Sequence, residues 1–278
     1  MKRIFERLNL PPQKRIRLQE IRLRVNKPVT LISENKTETI DRFVSRADME
    51  SFFRIICNDS VYSKQNEIMQ GFITLKGGHR AGICGTAVYN GDEIVNIRDI
   101  NSINFRIAHE KIGCSDSLLR HTELGRGILI CGAPCSGKTT ILRDIARNLS
   151  EGFRIAVIDS RGELGSVYKG EPQNDLGSSF VLDGYSKKDG FDHALRCLAP
   201  DYIICDEIGT NEDACSLENS INSGAGVICS AHCANKRELL SKPVLRNVVR
   251  CFSSIVFLGN REKVGQVLSV INTNELHA

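Results

Sequence analysis

The sequence predicts an α/β fold in which a mostly parallel sheet carries a phosphate-binding loop, preceded by a smaller α+β region. Two observations support this prediction. After about residue 125, short apolar segments alternate with helix-like segments, as in parallel sheets covered by helices. Before that point, short strand-like segments are separated by turn signals, as in antiparallel sheets. We therefore expect two domains, residues 1–110 and residues 111–278.

The first domain is predicted to combine one amphipathic helix with several strands. Apolar residues recur at helical spacing around Asp48–Cys57, and an apolar run at Val29–Ile32 predicts a strand. Residues 68–108 predict a β-meander with turns at Gly77-Gly78 and Asn90-Gly91. Its strands are expected at Gly71–Leu75, Ala81–Val88 and Ile94–Ile97.

The second domain is predicted from its apolar runs. Strands are expected at Ile128–Cys131, Arg154–Ile158, Tyr202–Cys205, Val227–Ser230 and Ile255–Leu258. A final strand at Gln266–Ile271 is expected to form a hairpin with the preceding strand. The intervening segments have the length and pattern of helices, which favours a parallel sheet.

The most informative motif lies between the first of these strands and the helix that follows it. Gly132–Thr139 fits G-x-x-x-x-G-K-[ST], whose backbone N–H groups surround phosphates at a helix N-terminus. Lys138 is expected at the β- and γ-phosphates, and the Thr139 hydroxyl at Mg²⁺. The motif predicts nucleoside triphosphate binding. The residues expected to bind the nucleotide are Gly132, Ala133, Pro134, Cys135, Ser136, Gly137, Lys138, Thr139 and Thr140.

Acidic residues directly follow the predicted strand Tyr202–Cys205. Asp206 is placed to hold Mg²⁺ together with Thr139, because an acid at the end of such a strand reaches the phosphate site. Glu207 is placed to orient and deprotonate the attacking water. The alternative is an exposed acidic pair at a strand end.

Further polar residues follow two neighbouring strands. Asp159 ends one strand and precedes Glu163, and His232 follows another. Because ligands of open parallel sheets gather at the carboxyl ends of strands, all three are expected to face the same crevice. Glu163 is a candidate for positioning water or a solvated loop acid, and His232 is a candidate γ-phosphate sensor or a structural histidine.

Composition narrows the possible classes of protein. The chain has 278 residues, of which 41% are hydrophobic and 25% charged, as in ordinary globular proteins. Eleven cysteines without a secretory signal favour a reducing compartment. No apolar stretch approaches the ~20 residues of a membrane-spanning helix. We therefore expect a cytoplasmic protein that reaches membranes only through a partner.

Basic side chains are concentrated in residues 1–28, which hold nine basic and two acidic residues. This concentration fits a solvated helix face, or a surface that meets anionic lipid or nucleic acid. The chain has no Trp and only 6% aromatic residues. Because unpaired bases stack on aromatic side chains, a nucleic-acid partner is not expected.

The motifs together resemble the stage III sporulation protein AA family of endospore-forming bacteria, over nearly the whole chain. That family is similar to the hexameric ATPases of type II and type IV secretion and of type IV pili. The phosphate loop alone indicates only an NTPase, whereas its combination with Gly71–Gly82 is more specific. The segments that carry the resemblance are Glu20–Arg24, Gly71–Gly82, Ile100–Ile107, the phosphate loop with Leu142–Arg147, Asp206–Gly209 and Ser230–His232.

The resemblance implies an N-terminal domain beside a RecA-like core, with a nucleotide bound between the two. It also implies that an arginine of the first domain reaches the phosphates, with Arg106 the first candidate and Arg80 and Arg98 weaker ones. The family usually has two adjacent acids where this chain has Asp159-Ser160. The serine shifts the expected role of catalytic base towards Glu207.

The implied function is that of a Mg²⁺-dependent ATPase motor, with ATP as substrate. It is expected to form a homohexamer and to energise a membrane protein complex of the sporulation channel between mother cell and forespore. One alternative is a RecA-like ATPase that depends on nucleic acid, which single-stranded DNA or RNA would stimulate. Another is a nucleotide-gated scaffold with very slow turnover.

Overall fold

The computed structural model describes residues 1–15, 18–33, 36–260 and 263–273, without the side chain of Arg15. The chain divides into two compact units. Unit 1 comprises residues 1–109 together with 167–173, and unit 2 comprises residues 110–166 and 174–278. Sequence reasoning assigned the segment 167–173 to the second domain instead.

Unit 1 is built on a six-stranded antiparallel sheet with the strand order β3-β2-β1-β6-β5-β4. The predicted β-meander is present, and its last two strands are longer than expected because they continue as a hairpin beyond the neighbouring strands. The strands are β1 Leu18–Arg24, β2 Pro28–Ser33, β3 Lys36–Phe43, β4 Phe72–Leu75, β5 His79–Asn90 and β6 Glu93–Arg106.

The helices of unit 1 cover one face of this sheet. The predicted amphipathic helix is α3, and it begins with a capping box in which Ser45 and Asp48 exchange hydrogen bonds with each other's backbone. Its residues Met49, Phe52 and Ile56 are buried in the core of the unit. The helical segments are α1 Lys2–Arg7, α2 Pro12–Arg15, α3 Arg46–Ile56, a 3₁₀ turn Tyr62–Lys64 and α4 Gln65–Met69.

The expectation of a helix face for the basic N-terminal residues is wrong for part of the segment. Residues 18–24 form strand β1, in which apolar residues point into the core while Arg22 and Arg24 point outwards. Ile21 and Leu23 are buried two residues apart, which is the period of a strand, whereas Leu18 is three residues before Ile21 because the pairing with β2 is irregular between Leu18 and Glu20. Arg17 lies outside the described residues.

The segment 167–173 groups with unit 1 through side-chain contacts. The Asn58 amide contacts the Tyr168 hydroxyl at 2.5 Å, and the Gly77 N–H donates to Gln173 Oε1 at 2.8 Å. The Lys64 ammonium lies 5.4 Å from the centre of the Tyr168 ring. No local pattern in the sequence indicates these contacts, because their partners are about a hundred residues apart.

Unit 2 contains a seven-stranded sheet with the order β13-β12-β7-β11-β10-β8-β9. All neighbouring strands are parallel except β12 and β13, which form the predicted hairpin. All six predicted strands are present, and β9 is the one that sequence reasoning missed. The strands are β7 Gly127–Cys131, β8 Ile155–Asp159, β9 Phe180–Asp183, β10 Tyr202–Glu207, β11 Gly226–Ala231, β12 Ser254–Leu258 and β13 Val267–Asn272.

Helices cover both faces of this sheet, as doubly wound α/β folds require. Helix α6 packs with β7 and β8 in one apolar cluster, while α8, α9 and α10 contribute to the cluster on the other face. No helix within the described ranges is long and apolar enough to cross a membrane. The helices are α5 Asp116–Arg120, α6 Lys138–Leu149, α7 Lys187–His193 with a π-helical continuation Ala194–Leu198, α8 Asn211–Asn222, α9 Lys236–Ser241, α10 Pro243–Val248 and a 3₁₀ turn Val249–Cys251.

Candidate nucleotide site

The predicted phosphate loop connects β7 to α6. Gly137 caps the helix in the left-handed conformation, with φ of 93°, and Cys135 also has positive φ. A Cβ at Gly132 would lie 2.4 Å from Ser136 Oγ, so any larger residue there would displace that hydroxyl. That hydroxyl is itself buried and lacks a hydrogen-bond partner among the described residues. An unpaired buried hydroxyl in a loop of this shape fits a site built for a polar ligand.

Lys138, at the start of α6, is directed back onto the loop. Its ammonium donates to the carbonyl oxygens of Gly132 and Ala133, both at 2.9 Å, and lies 3.2 Å from His232 Nδ1. Burial lowers the pKa of Lys138, and the carboxylates of Glu207 and Asp206 oppose that effect. Two neutral carbonyls are weak partners for a buried cation, so an anionic ligand at the loop would be a better one.

His232 connects Lys138 to the acid at the end of β10. Because an ammonium can only donate, His232 Nδ1 is the acceptor in that contact. The other ring nitrogen, Nε2, therefore carries the proton and contacts Glu207 Oε2 at 3.2 Å. Lys138, His232 and Glu207 thus form one continuous polar chain at the carboxyl ends of β10 and β11.

Asp206 lies beside this chain. Its carboxylate accepts from the Ser230 hydroxyl at 3.5 Å. Burial raises the pKa of Asp206, and the negative charges of Glu163 and Glu207 raise it further. A bound cation would relieve this repulsion, since it favours the charged form of a carboxylate.

Asp159 is hydrogen-bonded by the loop that follows β8. Its buried carboxylate accepts hydrogen bonds from the backbone N–H groups of Glu163, Leu164 and Gly165, at 2.7 to 3.0 Å. These three hydrogen bonds hold the loop in shape. Glu163 is thereby placed close enough to Asp206 to influence its pKa, and Arg143 donates to the Glu163 carbonyl at 2.7 and 3.0 Å.

The donor set suits Mg²⁺. Thr139 lies in the first turn of α6, and Asp206 supplies a carboxylate near the same sheet edge. Within the described parts of the chain, no group of three or more His, Cys, Asp or Glu side chains is arranged to hold a metal. Mg²⁺ does not need such a group of side chains, since it is usually held by one or two carboxylates together with phosphates and water.

Arg106 belongs to unit 1, at the end of β6. It lies opposite Arg80 in β5 and opposite Glu20 in β1. Arg98 lies further back on β6, opposite Thr86. The role of these arginines at the phosphates stays a prediction.

Sequence reasoning missed two residues that support the site. The Lys187 ammonium donates to the Glu207 carbonyl and to Asp213 Oδ2, the latter at 3.2 Å, which fixes the chain directly after the acid. Arg161 Nη1 lies 3.9 Å from Glu207 Oε2. Arg161 was identifiable from its position after β8, whereas no signal in the sequence points to Lys187.

The strand order, the loop between β7 and α6, and the acids ending β10 define a P-loop protein with a RecA-like core. The chain belongs to the family described as sporulation stage III, protein AA, which matches residues 1–276. It is 32% identical over 272 residues to stage III sporulation protein AA of Bacillus subtilis (strain 168), covering 94% of this chain and 89% of that relative.

Solved structures of ATPases share the fold. The X-ray structure of DotB from Legionella pneumophila has a TM-score of 0.61 at 17% identity and covers 92% of this chain and 75% of its own. DotB from Yersinia pseudotuberculosis has a TM-score of 0.63 at 15% identity, and the match covers 98% of this chain and 79% of the DotB chain. The pilus retraction motor PilT with bound ADP has a TM-score of 0.59 at 17% identity, and the match covers 92% of this chain and 76% of the PilT chain. The predicted fold class is confirmed.

Proposed function

We propose that this protein binds ATP with Mg²⁺ and hydrolyses it, as the motor of a membrane-associated complex that acts between mother cell and forespore. The observation that carries this proposal is the contact chain from Lys138 through His232 to Glu207, above a phosphate loop whose Ser136 hydroxyl is buried without a partner among the described residues. In the proposed site, this chain supplies a cation, an imidazole and a carboxylate to the terminal phosphate.

Each residue has a distinct proposed role. The loop N–H groups and Lys138 hold the phosphates, and Glu207 accepts the proton of the attacking water. His232 keeps Glu207 in place and responds to the phosphate through its contact with Lys138. Thr139 and Asp206 hold Mg²⁺, which when bound neutralises charge on the phosphate oxygens. Glu163 assists by positioning water, and Arg106 stabilises charge that develops during transfer.

We propose further that the protein acts as a homohexameric ring and reaches the membrane through a protein partner. The fold shared with DotB and PilT supports a motor, and membership of the sporulation family supports the cellular setting. Head-to-tail contacts close into rings when the rotation per subunit fits. Affinity capture from sporulating cells, followed by identification of the co-purifying membrane proteins, tests the partner.

Light scattering on the Glu207→Gln variant with Mg-ATP tests the assembly. This variant keeps the shape of the side chain and is expected to retain ATP, so the ring should accumulate. A hexameric mass in Mg-ATP and a smaller mass without nucleotide is the expected result. A monomeric mass in both conditions, at high protein concentration and with the partner added, contradicts the ring motor.

A further inference from the structure

An arginine in the turn after β8 lies at the far end of the polar contact chain. Arg161 Nη1 is 3.9 Å from Glu207 Oε2, the same carboxylate oxygen that His232 Nε2 contacts at 3.2 Å. The turn directly follows Asp159, the last residue of β8, and parallel strands present their carboxyl ends at one edge of a sheet. The guanidinium of Arg161 therefore belongs to the same cluster as the proposed catalytic base.

The charge of Arg161 also reaches the proposed ligand of Mg²⁺. Burial raises the pKa of Asp206, and among the positive charges that oppose this rise Arg161 has the largest effect, ahead of Lys187. The Lys187 side chain is 19% exposed and donates to the Glu207 carbonyl and to Asp213, whereas the Arg161 side chain is 64% exposed. Because exposed long side chains change rotamer readily, Arg161 is the cation beside these two acids that can turn to a ligand.

The backbone that carries Arg161 is held on both sides. On one side it continues from β8, and on the other side the Asp159 carboxylate accepts hydrogen bonds from the N–H groups of three following loop residues. Arg143 of α6 donates twice to the carbonyl of Glu163 in the same loop. The Arg161 guanidinium can therefore change its partner while the loop keeps its shape.

The contact between Arg161 and Glu207 is one that a phosphoryl group can replace. A separation of 3.9 Å is beyond hydrogen-bond distance, and ion pairs at exposed side chains contribute little to stability. A guanidinium binds phosphoryl oxygens through two parallel charge-assisted hydrogen bonds, which are stronger. Negative charge on a terminal phosphate beside Glu207 therefore draws the guanidinium away from the carboxylate.

We propose that Arg161 is a catalytic residue, which turns from Glu207 to the terminal phosphoryl oxygens of bound ATP and stabilises the charge on them during hydrolysis. In that step the water oxygen bonds to the γ-phosphorus and the water proton passes to Glu207. The bond from the γ-phosphorus to the bridging oxygen breaks, and its electron pair stays with ADP. Arg161 comes from unit 2 itself and acts in addition to Arg106. This inference rests on the proposed hydrolysis of ATP.

Binding of a transition-state analogue tests this role separately from turnover. Calorimetry on the full-length protein measures the affinity for Mg-ADP without and with aluminium fluoride, which takes the place of the phosphoryl group in transfer. Arg161→Ala should weaken binding in the presence of aluminium fluoride on the order of 10²–10³-fold, the cost of removing one donor to developing charge, and should lower kcat by a similar factor. Its affinity for Mg-ADP alone should stay unchanged.

Two further variants complete the experiment. Arg250→Ala removes an exposed arginine before β12, at the amino-terminal edge of the sheet, and as the matched control should change none of these values. Arg161→Ala in a Glu207→Gln background should still lose affinity for the analogue, because the proposed contact is with the phosphoryl group and not through the carboxylate.

Three results would overturn the inference while the proposed function stands. They are wild-type kcat and analogue affinity in Arg161→Ala, equal losses of affinity for Mg-ADP and for the analogue, and a loss that disappears in the Glu207→Gln background, which would make Arg161 a positioning residue for Glu207. If the wild-type protein neither hydrolyses ATP nor binds Mg-ADP more tightly with aluminium fluoride, the proposed function fails together with the inference.

Discussion

The carboxylate of Asp144, whose side chain is 3% exposed, should stabilise unit 2 through its hydrogen bonds to Gly113 and Ser115. The perturbation is Asp144→Ala, which removes the acceptor of two backbone N–H groups and one hydroxyl. Ser115 is 0% exposed, so its groups cannot turn to water after the substitution. Each buried group left unsatisfied costs about 1–3 kcal/mol. Arg147 is partly exposed and regains water, so loss of its ion pair adds little to the change in the free energy of unfolding.

We therefore expect Asp144→Ala to lower the free energy of unfolding of unit 2 by about 3–5 kcal/mol, because the buried N–H and hydroxyl of Ser115 both lose their acceptor. Urea denaturation followed by far-ultraviolet circular dichroism measures this value. Asp201→Ala is the control, because that carboxylate also accepts hydrogen bonds from a backbone N–H and from an arginine but is 36% exposed. It should lower the free energy of unfolding by a clearly smaller amount. A loss below about 1 kcal/mol for Asp144→Ala would refute the reasoning.

Three further predictions concern catalysis and pH. Glu207→Gln should still bind Mg-ATP but turn over about 10²–10⁴-fold more slowly in a phosphate-release assay. Normal turnover by Glu207→Gln, together with slow turnover by Glu163→Gln, would assign the catalytic base to Glu163. Arg106→Ala should lower kcat far more than ATP affinity, because its proposed role lies in the transition state; equal loss of both, or of neither, removes it from the catalytic set. Burial, with the nearby N-terminal amine and His109, lowers the pKa of His79 to about 4. Since only the unfolded state gains this proton between about pH 6.5 and pH 4, stability should fall as the pH falls through that range; a His79 resonance titrating near 6.5 by nuclear magnetic resonance would contradict this.

The nucleotide site was predictable where short-range patterns specify it. The phosphate loop has fixed spacing, and Asp206 and Glu207 directly follow an apolar run that can only be a buried strand in this context. The position of His232 followed from the rule that parallel strands present their carboxyl ends at one edge. The contact of His232 with both Lys138 and Glu207 was not predictable, because it depends on side-chain conformations.

The remaining misses have physical causes. Strand β9 is four residues long and its apolar run, Phe180–Leu182, has only three residues, which is shorter than the runs that mark the other strands of the sheet. The basic residues of β1 suggested a helix face because the spacing of three between Leu18 and Ile21 also fits a helix, and only Ile21 and Leu23 have the two-residue spacing of a strand. Asp159 was expected to face the crevice, yet three backbone donors of its own loop satisfy it. Such local hydrogen bonds compete with a functional role and leave no trace in sequence.

Loss of the Lys138 ammonium tests the central claim most directly. Steady-state phosphate release from Mg-ATP is measured for the wild-type protein, Lys138→Ala and Lys236→Ala, which removes an exposed lysine on α9 as a matched control. The wild-type protein and the control should hydrolyse ATP at similar rates, and folded Lys138→Ala should show no hydrolysis above background. Hydrolysis by Lys138→Ala at the wild-type rate, with its circular dichroism spectrum unchanged, would contradict the assignment of this loop as the site of nucleotide hydrolysis.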